Sequence, residues 1–217
     1  MTLSMQAQDL VLATTNNGKI RELALPLAEL GLNLKSLADY PEFPEIIETG
    51  ETFAQNALLK ARTVAEKTGL TSIADDSGLM VDALGGQPGI YSARFGDDWT
   101  PLPGESRDER NIRKLLAKME GVPLEKRSCR FVCCMAIVRS DGREMTIEGH
   151  WEGRVLTAPC GENGFGYDPV FFDPEIGQSA ASLTLEQKNA RSHRGKALRL
   201  LLLRLAHFLE LAPLPTA

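Results

Sequence analysis

The run Cys129–Val138 is apolar at both parities, so side chains on either face of a strand there are hydrophobic. A strand of that kind sits centrally in a sheet and is buried on both faces. It therefore constrains the fold more than any other stretch of the chain. Ser140-Asp141-Gly142-Arg143 follows as a hairpin turn, and Glu144 to Trp151 alternates polar with apolar, which predicts a strand with one exposed face. Asp9 to Thr14 and Leu32 to Leu37 read as further strands. Helices are predicted from Asn17 to about Leu30, from Thr52 to near Gly69, over Glu105 to Met119, after Thr184, and from about Ser192 onward. Pro26 lies inside the first of these, where it removes one hydrogen bond. Thr52 with Gln55, and Thr184 with Gln187, have capping-box spacing. Gly85 to Trp99 reads as a loop. With hairpins in its second half, the chain fits a mixed-sheet α/β protein better than a regular doubly wound one.

The 217 residues, 43% of them hydrophobic, suffice for one sizeable domain or two lobes. A formal charge of −5 argues against nucleic-acid backbone as a partner. Met1–Gln8 is too short and polar for a signal peptide, and Leu198–Leu211 is interrupted by Arg199, Arg204, His207 and Glu210, so no membrane association is expected. The wide leucine face of that last helix requires cover from the core or from a partner. Cys129, Cys133, Cys134 and Cys160 fit no zinc spacing and are expected as buried free thiols in a reducing cytoplasm.

Asp75-Asp76-Ser77-Gly78 is the segment richest in chemistry. Short strands, Ser72–Ala74 and Gly78–Val81, are expected on either side of it, with the acidic pair at a strand end opening into a tight turn. Hard oxygen ligands suit Mg²⁺, although Asp, Ser and Gly are also ordinary turn formers. Thr14-Thr15-Asn16-Asn17-Gly18-Lys19 joins the first strand to the first helix, where a phosphate meets backbone N–H groups and the positive end of a helix dipole. It nearly matches a P-loop, but Ala13 replaces the first glycine and Ile20 the metal-binding hydroxyl, so metal ligands must come from elsewhere. Glu48 and one residue of the Asp75/Asp76 pair are candidates. Asn56 and Lys60 share a helix face and could reach a phosphate or form a solvated polar face. Gly161–Pro169 holds three glycines and two aromatics, and Phe165 in such a loop could stack on a flat base. Lys188, Arg191, His193, Arg194, Lys196 and Arg199 concentrate positive charge.

These segments occur in one order. With Glu48-Thr49-Gly50, Asn56-Ala57, Lys60-Ala61, Pro88 to Arg94, Phe165-Gly166-Tyr167-Asp168-Pro169 and Ser192-His193-Arg194-Gly195, the chain resembles the inosine/xanthosine triphosphate pyrophosphatases over about residues 9 to 205. The resemblance implies an elongated mixed α/β fold with flanking helices, two lobes around a deep nucleotide-binding cleft, and a cytoplasmic homodimer. A single two-lobed domain over residues 9–211 is expected, with an extension at 1–8 and a frayed tail at 212–217. It further implies Mg²⁺-dependent hydrolysis of deaminated purine nucleoside triphosphates (ITP, dITP, XTP) to monophosphate and pyrophosphate. On it, Thr14–Lys19 binds the triphosphate, Glu48 and Asp76 hold the metal, and Asp76 accepts the proton. Ser77, Phe165, Gly166, Tyr167, Asp168, Lys188, His193 and Arg194 contact the nucleotide, and Lys19, Lys60 and Lys188 offset phosphate charge. Two positions depart from the family pattern: Thr15 stands where glycine is frequent, and Gln55 where glutamate is usual. The alternatives are a pyrophosphatase for pyrimidine or other modified nucleotides, and a nucleotide sensor without turnover.

Overall fold

The structure, a computed structural model, describes residues 9–40 and 42–210. The extension expected at 1–8 and the tail at 212–217 lie outside the described residues. In chain order the elements are β1 (Asp9–Leu12), α1 (Asn17–Ala28), β2 (Asn33–Ser36), α2 (Phe53–Thr68), β3 (Thr71–Val81), α3 (Arg107–Lys118), β4 (Ser128–Val138), β5 (Glu144–Val155), β6 (Phe171–Asp173), β7 (Gln178–Ser179), α4 (Leu185–Arg191) and α5 (His193–Phe208). The strands form one mixed sheet in the order β2-β1-β3-β4-β5-β6-β7. β1 is parallel to β2 and β3, whereas β6 is antiparallel to β5 and β7. β4 is the middle strand, and every residue from Phe131 to Val138 is buried, as its double-faced apolar pattern demands. β5 alternates exposed and buried residues to its end and runs four residues past the predicted limit at Trp151.

Local chemistry sets most boundaries. Ser106 and Glu109 form a reciprocal capping box on α3, as do Thr184 and Gln187 on α4. Gly69 ends α2 in the left-handed conformation at φ 68°. At the start of α2 the predicted box is only half made. Thr52 Oγ1 accepts from the Gln55 N–H, but Gln55 Oε1 reaches past Thr52 to the Glu51 N–H at 2.6 Å.

Three expectations are corrected. Asp75-Asp76-Ser77-Gly78 is no turn, and the two short strands around it are one continuous strand, β3. Turn propensity is overruled because both carboxylates find lysine partners. The Gly85–Trp99 loop contains a 3₁₀ helix over Gly89–Arg94. Cys160 is exposed, and only Cys129, Cys133 and Cys134 are buried.

The chain divides into two compact units. Among the described residues, the first comprises 9–40, 42–76, 134–148 and 197–210, and the second comprises 77–133 and 149–196. In the first unit, Leu10, Val11 and Leu12 of β1, Leu23 and Leu27 of α1, Ala57, Ala61 and Val64 of α2, and Leu201 and Leu205 of α5 are buried. α5 keeps part of its leucine face outside, with Leu200 and Leu203 exposed. The second unit packs around Leu79, Phe131, Trp151, Tyr167 and Phe171. No helix among the described residues is long and apolar enough to cross a membrane.

Asp173 anchors the second core. Its Oδ2 accepts from Trp151 Nε1 and from Arg191 Nε, both at 2.9 Å, and its Oδ1 accepts from the Glu175 N–H. Burial pushes its carboxyl up, but the hydrogen bonds from Arg191 and Trp151 outweigh burial and hold it below the usual aspartate range. The stabilisation is therefore present above about pH 4 and is lost as pH falls through the lowered folded value. Asp173→Ala should cost about 2–4 kcal/mol near neutral pH, because it strands a buried indole N–H and leaves Arg191 with Glu175 as its remaining ion-pair partner. Urea denaturation at pH 7 and below pH 4 checks this, with the difference from wild type shrinking at the acid end.

Candidate functional site

In the first unit the polar groups gather where β1 meets α1, where the loop 48–52 enters α2, and at the middle of β3. Asn16 shapes the first of these places: its Oδ1 accepts from the N–H groups of Gly18 at 2.9 Å and Lys19 at 3.2 Å, and its own N–H donates to Thr14 Oγ1. Thr15, Asn16 and Asn17 are exposed at the N-terminus of α1. Lys19 leaves this turn to meet Asp75, with Nζ 3.1 Å from Oδ1 and 3.4 Å from the Asp75 carbonyl oxygen.

Consecutive residues of a strand face opposite sides, so Asp76 has other partners. Lys60 Nζ donates to Asp76 Oδ1 at 3.1 Å and to Glu48 Oε1 at 2.8 Å. Asn56 Nδ2 donates to Asp76 Oδ2 at 3.2 Å. Asn56 and Lys60 do share a helix face, but that face is buried rather than solvated. The cluster sets three carboxylates, Glu48, Asp75 and Asp76, against two ammonium groups, Lys19 and Lys60. Burial holds Asp76 above the usual carboxyl range; Lys60 opposes this shift and Glu48 adds to it. Burial pushes Lys60 down, but Asp76 and Glu48 outweigh it, so the ammonium is held above its ordinary range.

The fit to Mg²⁺ rests on this donor set. Glu48 and Asp76 direct one oxygen each at a single cationic nitrogen, so a place for positive charge flanked by hard oxygens exists in the fold. Mg²⁺ takes one or two protein carboxylates and completes its shell with water and substrate oxygens. Among the described residues no group of three or more His, Cys, Asp or Glu side chains is placed to hold a metal ion.

The second unit assembles a different cluster. Asp168 Oδ2 accepts from the Phe165 N–H at 2.9 Å and from Lys188 Nζ at 2.6 Å. The Lys188 ammonium lies 4.6 Å, and the Arg194 guanidinium 5.7 Å, from the centre of the half-buried Phe165 ring. Arg194 also donates to Ser77 Oγ at 2.8 Å. His193 stacks on Phe131 with ring centres 4.7 Å apart, Tyr167 OH donates to the Ser92 carbonyl, and the Gly166 N–H donates to Asp108 Oδ2. Two glycines permit this packing. A Cβ at Gly164, whose φ is 81°, would lie 2.1 Å from Asp168 Oδ2, and one at Gly195 would lie 1.8 Å from the Asn189 carbonyl oxygen. Lys188 thus belongs to the aromatic cluster, beside Asp168 and Phe165.

Sequence reasoning passed over Gly50, Phe131 and Asp108 as contributors. Gly50 stood inside a quoted motif, and its spacing from Asn56 was the available signal. Phe131 and Asp108 carried none.

Lys60→Met should destabilise the protein by about 3–5 kcal/mol at pH 8, since it removes the ammonium that Glu48 and Asp76 share. The loss should shrink at pH 5. Proton uptake by Asp76, whose carboxyl burial holds above the usual range, is favoured as pH falls and relieves the repulsion. Chemical denaturation at the two pH values measures this, and an equal loss at both contradicts the charge pairing described.

Residues 10–203 match the model of the Ham1 family. The chain is 56% identical over 198 residues to the dITP/XTP pyrophosphatase of Nitratidesulfovibrio vulgaris, covering 91% of this chain and 96% of that protein. It is 47% identical over 191 residues to the dITP/XTP pyrophosphatase of Geobacillus kaustophilus, covering 88% and 91%. Among solved structures, a HAM1 protein from Coxiella burnetii superposes with a TM-score of 0.82 at 37% identity, covering 92% of this chain and 99% of that one.

Proposed function

The chain belongs to the Ham1 family, and from that premise we propose that it is a nucleotide pyrophosphatase. It hydrolyses deaminated purine nucleoside triphosphates (dITP, ITP and XTP) to the monophosphate and pyrophosphate, removing them from the nucleotide pool. The names of its relatives support the substrate class. The observation that carries the chemistry is the convergence of Glu48 and Asp76 on Lys60.

Thr14–Lys19 receives the triphosphate at the N-terminus of α1, where exposed polar side chains and the helix dipole favour an anion. Lys19 and Lys60 place positive charge against the phosphates, a positioning and electrostatic task. Glu48 and Asp76 would hold Mg²⁺, which would supply screening of phosphate charge and a more acidic water. Asp76 takes the proton from the water that attacks the α-phosphorus, and the bond to the bridging oxygen breaks as pyrophosphate leaves. In the second unit, Phe165 stacks on the base. His193 and Arg194 present N–H donors to its 6-oxo group; adenine offers a 6-amino group there and leaves a donor unpaired.

Pyrophosphate release is the measurement. ITP and XTP should be hydrolysed with kcat/KM on the order of 10⁴ above ATP. Chelation of Mg²⁺ should abolish release, and Asp76→Asn should lower turnover by orders of magnitude while keeping much of the affinity. Equal kcat/KM for ITP and ATP, or near-normal turnover of Asp76→Asn, contradicts the assignment.

We also infer a cytoplasmic homodimer. Leu203 of α5 is 81% exposed and Tyr91 is 56% exposed, which leaves apolar surface on each unit for a partner copy. Sedimentation equilibrium should return twice the chain mass, and a monomer at micromolar concentration overturns this.

A further inference from the structure

Helix α2 grips its neighbours with two side chains one turn apart. Asn56, fully buried, accepts from the Gly50 N–H at 2.8 Å through Oδ1 and donates to Asp76 Oδ2 through Nδ2. Lys60 joins Glu48 to Asp76 in the same way. Each residue thus ties the loop that carries Glu48 to the strand that carries Asp76. Gln55 adds a third tie, through the Glu51 N–H. The fit at Gly50 is close: a Cβ there would lie 2.6 Å from Asn56 Oδ1 and 2.7 Å from Gln55 Cβ.

The two grips are not equivalent. Lys60 donates to Glu48 Oε1 and Asp76 Oδ1, and its flexible stem holds no fixed geometry. Asn56 uses the other oxygen of Asp76 and a backbone N–H, and so leaves Asp76 Oδ1 to other partners. Its amide orientation is also fixed, because a flipped amide would set oxygen against carboxylate and NH₂ against N–H.

We propose that Asn56 is a positioning residue for the metal-holding pair: it sets the spacing of Glu48 from Asp76 before any cation binds, and Gly50 is the glycine that lets it do so. On the same geometry Gln55 serves as a tie from α2 to the loop, through the Glu51 N–H. The inference rests on Glu48 and Asp76 being the Mg²⁺ ligands.

The test is Mn²⁺ binding to the nucleotide-free protein, followed by electron paramagnetic resonance, for wild type, Asn56→Ala, Gly50→Ala and Asp76→Asn. Circular dichroism monitors the fold. Asn56→Ala should weaken Mn²⁺ binding about 10–100-fold, and Gly50→Ala should shift it in the same direction by displacing the amide. In turnover, Asn56→Ala should lower kcat at limiting Mg²⁺ and regain most of it at saturating Mg²⁺. The ratio of kcat/KM for ITP over ATP should stay at the wild-type value, which a general loss of structure would not produce. Wild-type Mn²⁺ affinity in folded Asn56→Ala overturns the proposal. If that variant does not fold, unchanged affinity in Gly50→Ala does so instead. Undiminished Mn²⁺ binding by Asp76→Asn would remove the ligand assignment itself, a failure distinct from that of the positioning role.

Discussion

A buried ammonium between two carboxylates is the interaction on which the first unit depends. Lys60 Nζ lies within 3.1 Å of both Asp76 and Glu48, and Lys19 answers Asp75 at the same distance on the neighbouring strand position. A strand beside the middle of a sheet ordinarily has no room for two adjacent aspartates, because an unpaired buried carboxylate is expensive to desolvate. With one lysine for each, β3 continues unbroken through the acidic pair. Removing either lysine would leave charge that the fold cannot solvate, so lysines and aspartates form one unit of structure as well as of chemistry.

The same pairing explains what the amino-acid sequence disclosed and what it hid. β4, the hairpin after it, the alternation of β5, the boundaries of α2 and the start of α4 all follow from patterns spanning a few residues, and all were legible. The acidic pair was read as a turn because Asp, Ser and Gly favour turns locally. Its true partners lie 56 and 16 residues away, at Lys19 and Lys60. Asn56 and Lys60 posed the same difficulty: their spacing revealed a shared face, while burial of that face depended on a loop and a strand elsewhere in the chain. β6 and β7, with three and two residues, carry too little periodicity to register. Residue types and their order pointed to the candidate site; which atom meets which could be learned only from the fold.

The second unit reaches its order by other means. Trp151, Phe171, Phe131 and His193 stand in contact as a row of rings, with successive centres 4.7, 4.5 and 4.7 Å apart. His193 is thereby fixed by packing in the core. Gly195 lets the start of α5 close on the Asn189 carbonyl at the end of α4, and that approach sets Lys188 beside Arg194 over Phe165. Such positions are governed by steric contact, and even one added methyl group is felt in packing this dense.

This contrast divides the work between the two clusters. A site fixed by ionised groups responds to protons and metal ions, because each changes the charge balance among Glu48, Asp75, Asp76, Lys19 and Lys60. The second cluster, with one buried ion pair between Lys188 and Asp168 set among rings and close backbone contacts, responds chiefly to the shape and hydrogen-bonding pattern of what enters it. Turnover is therefore expected to follow the chemistry of the first cluster, and choice of base the geometry of the second. Sequence changes that disturb one should leave the other largely intact, since no residue of the carboxylate–lysine set contributes to the ring stack.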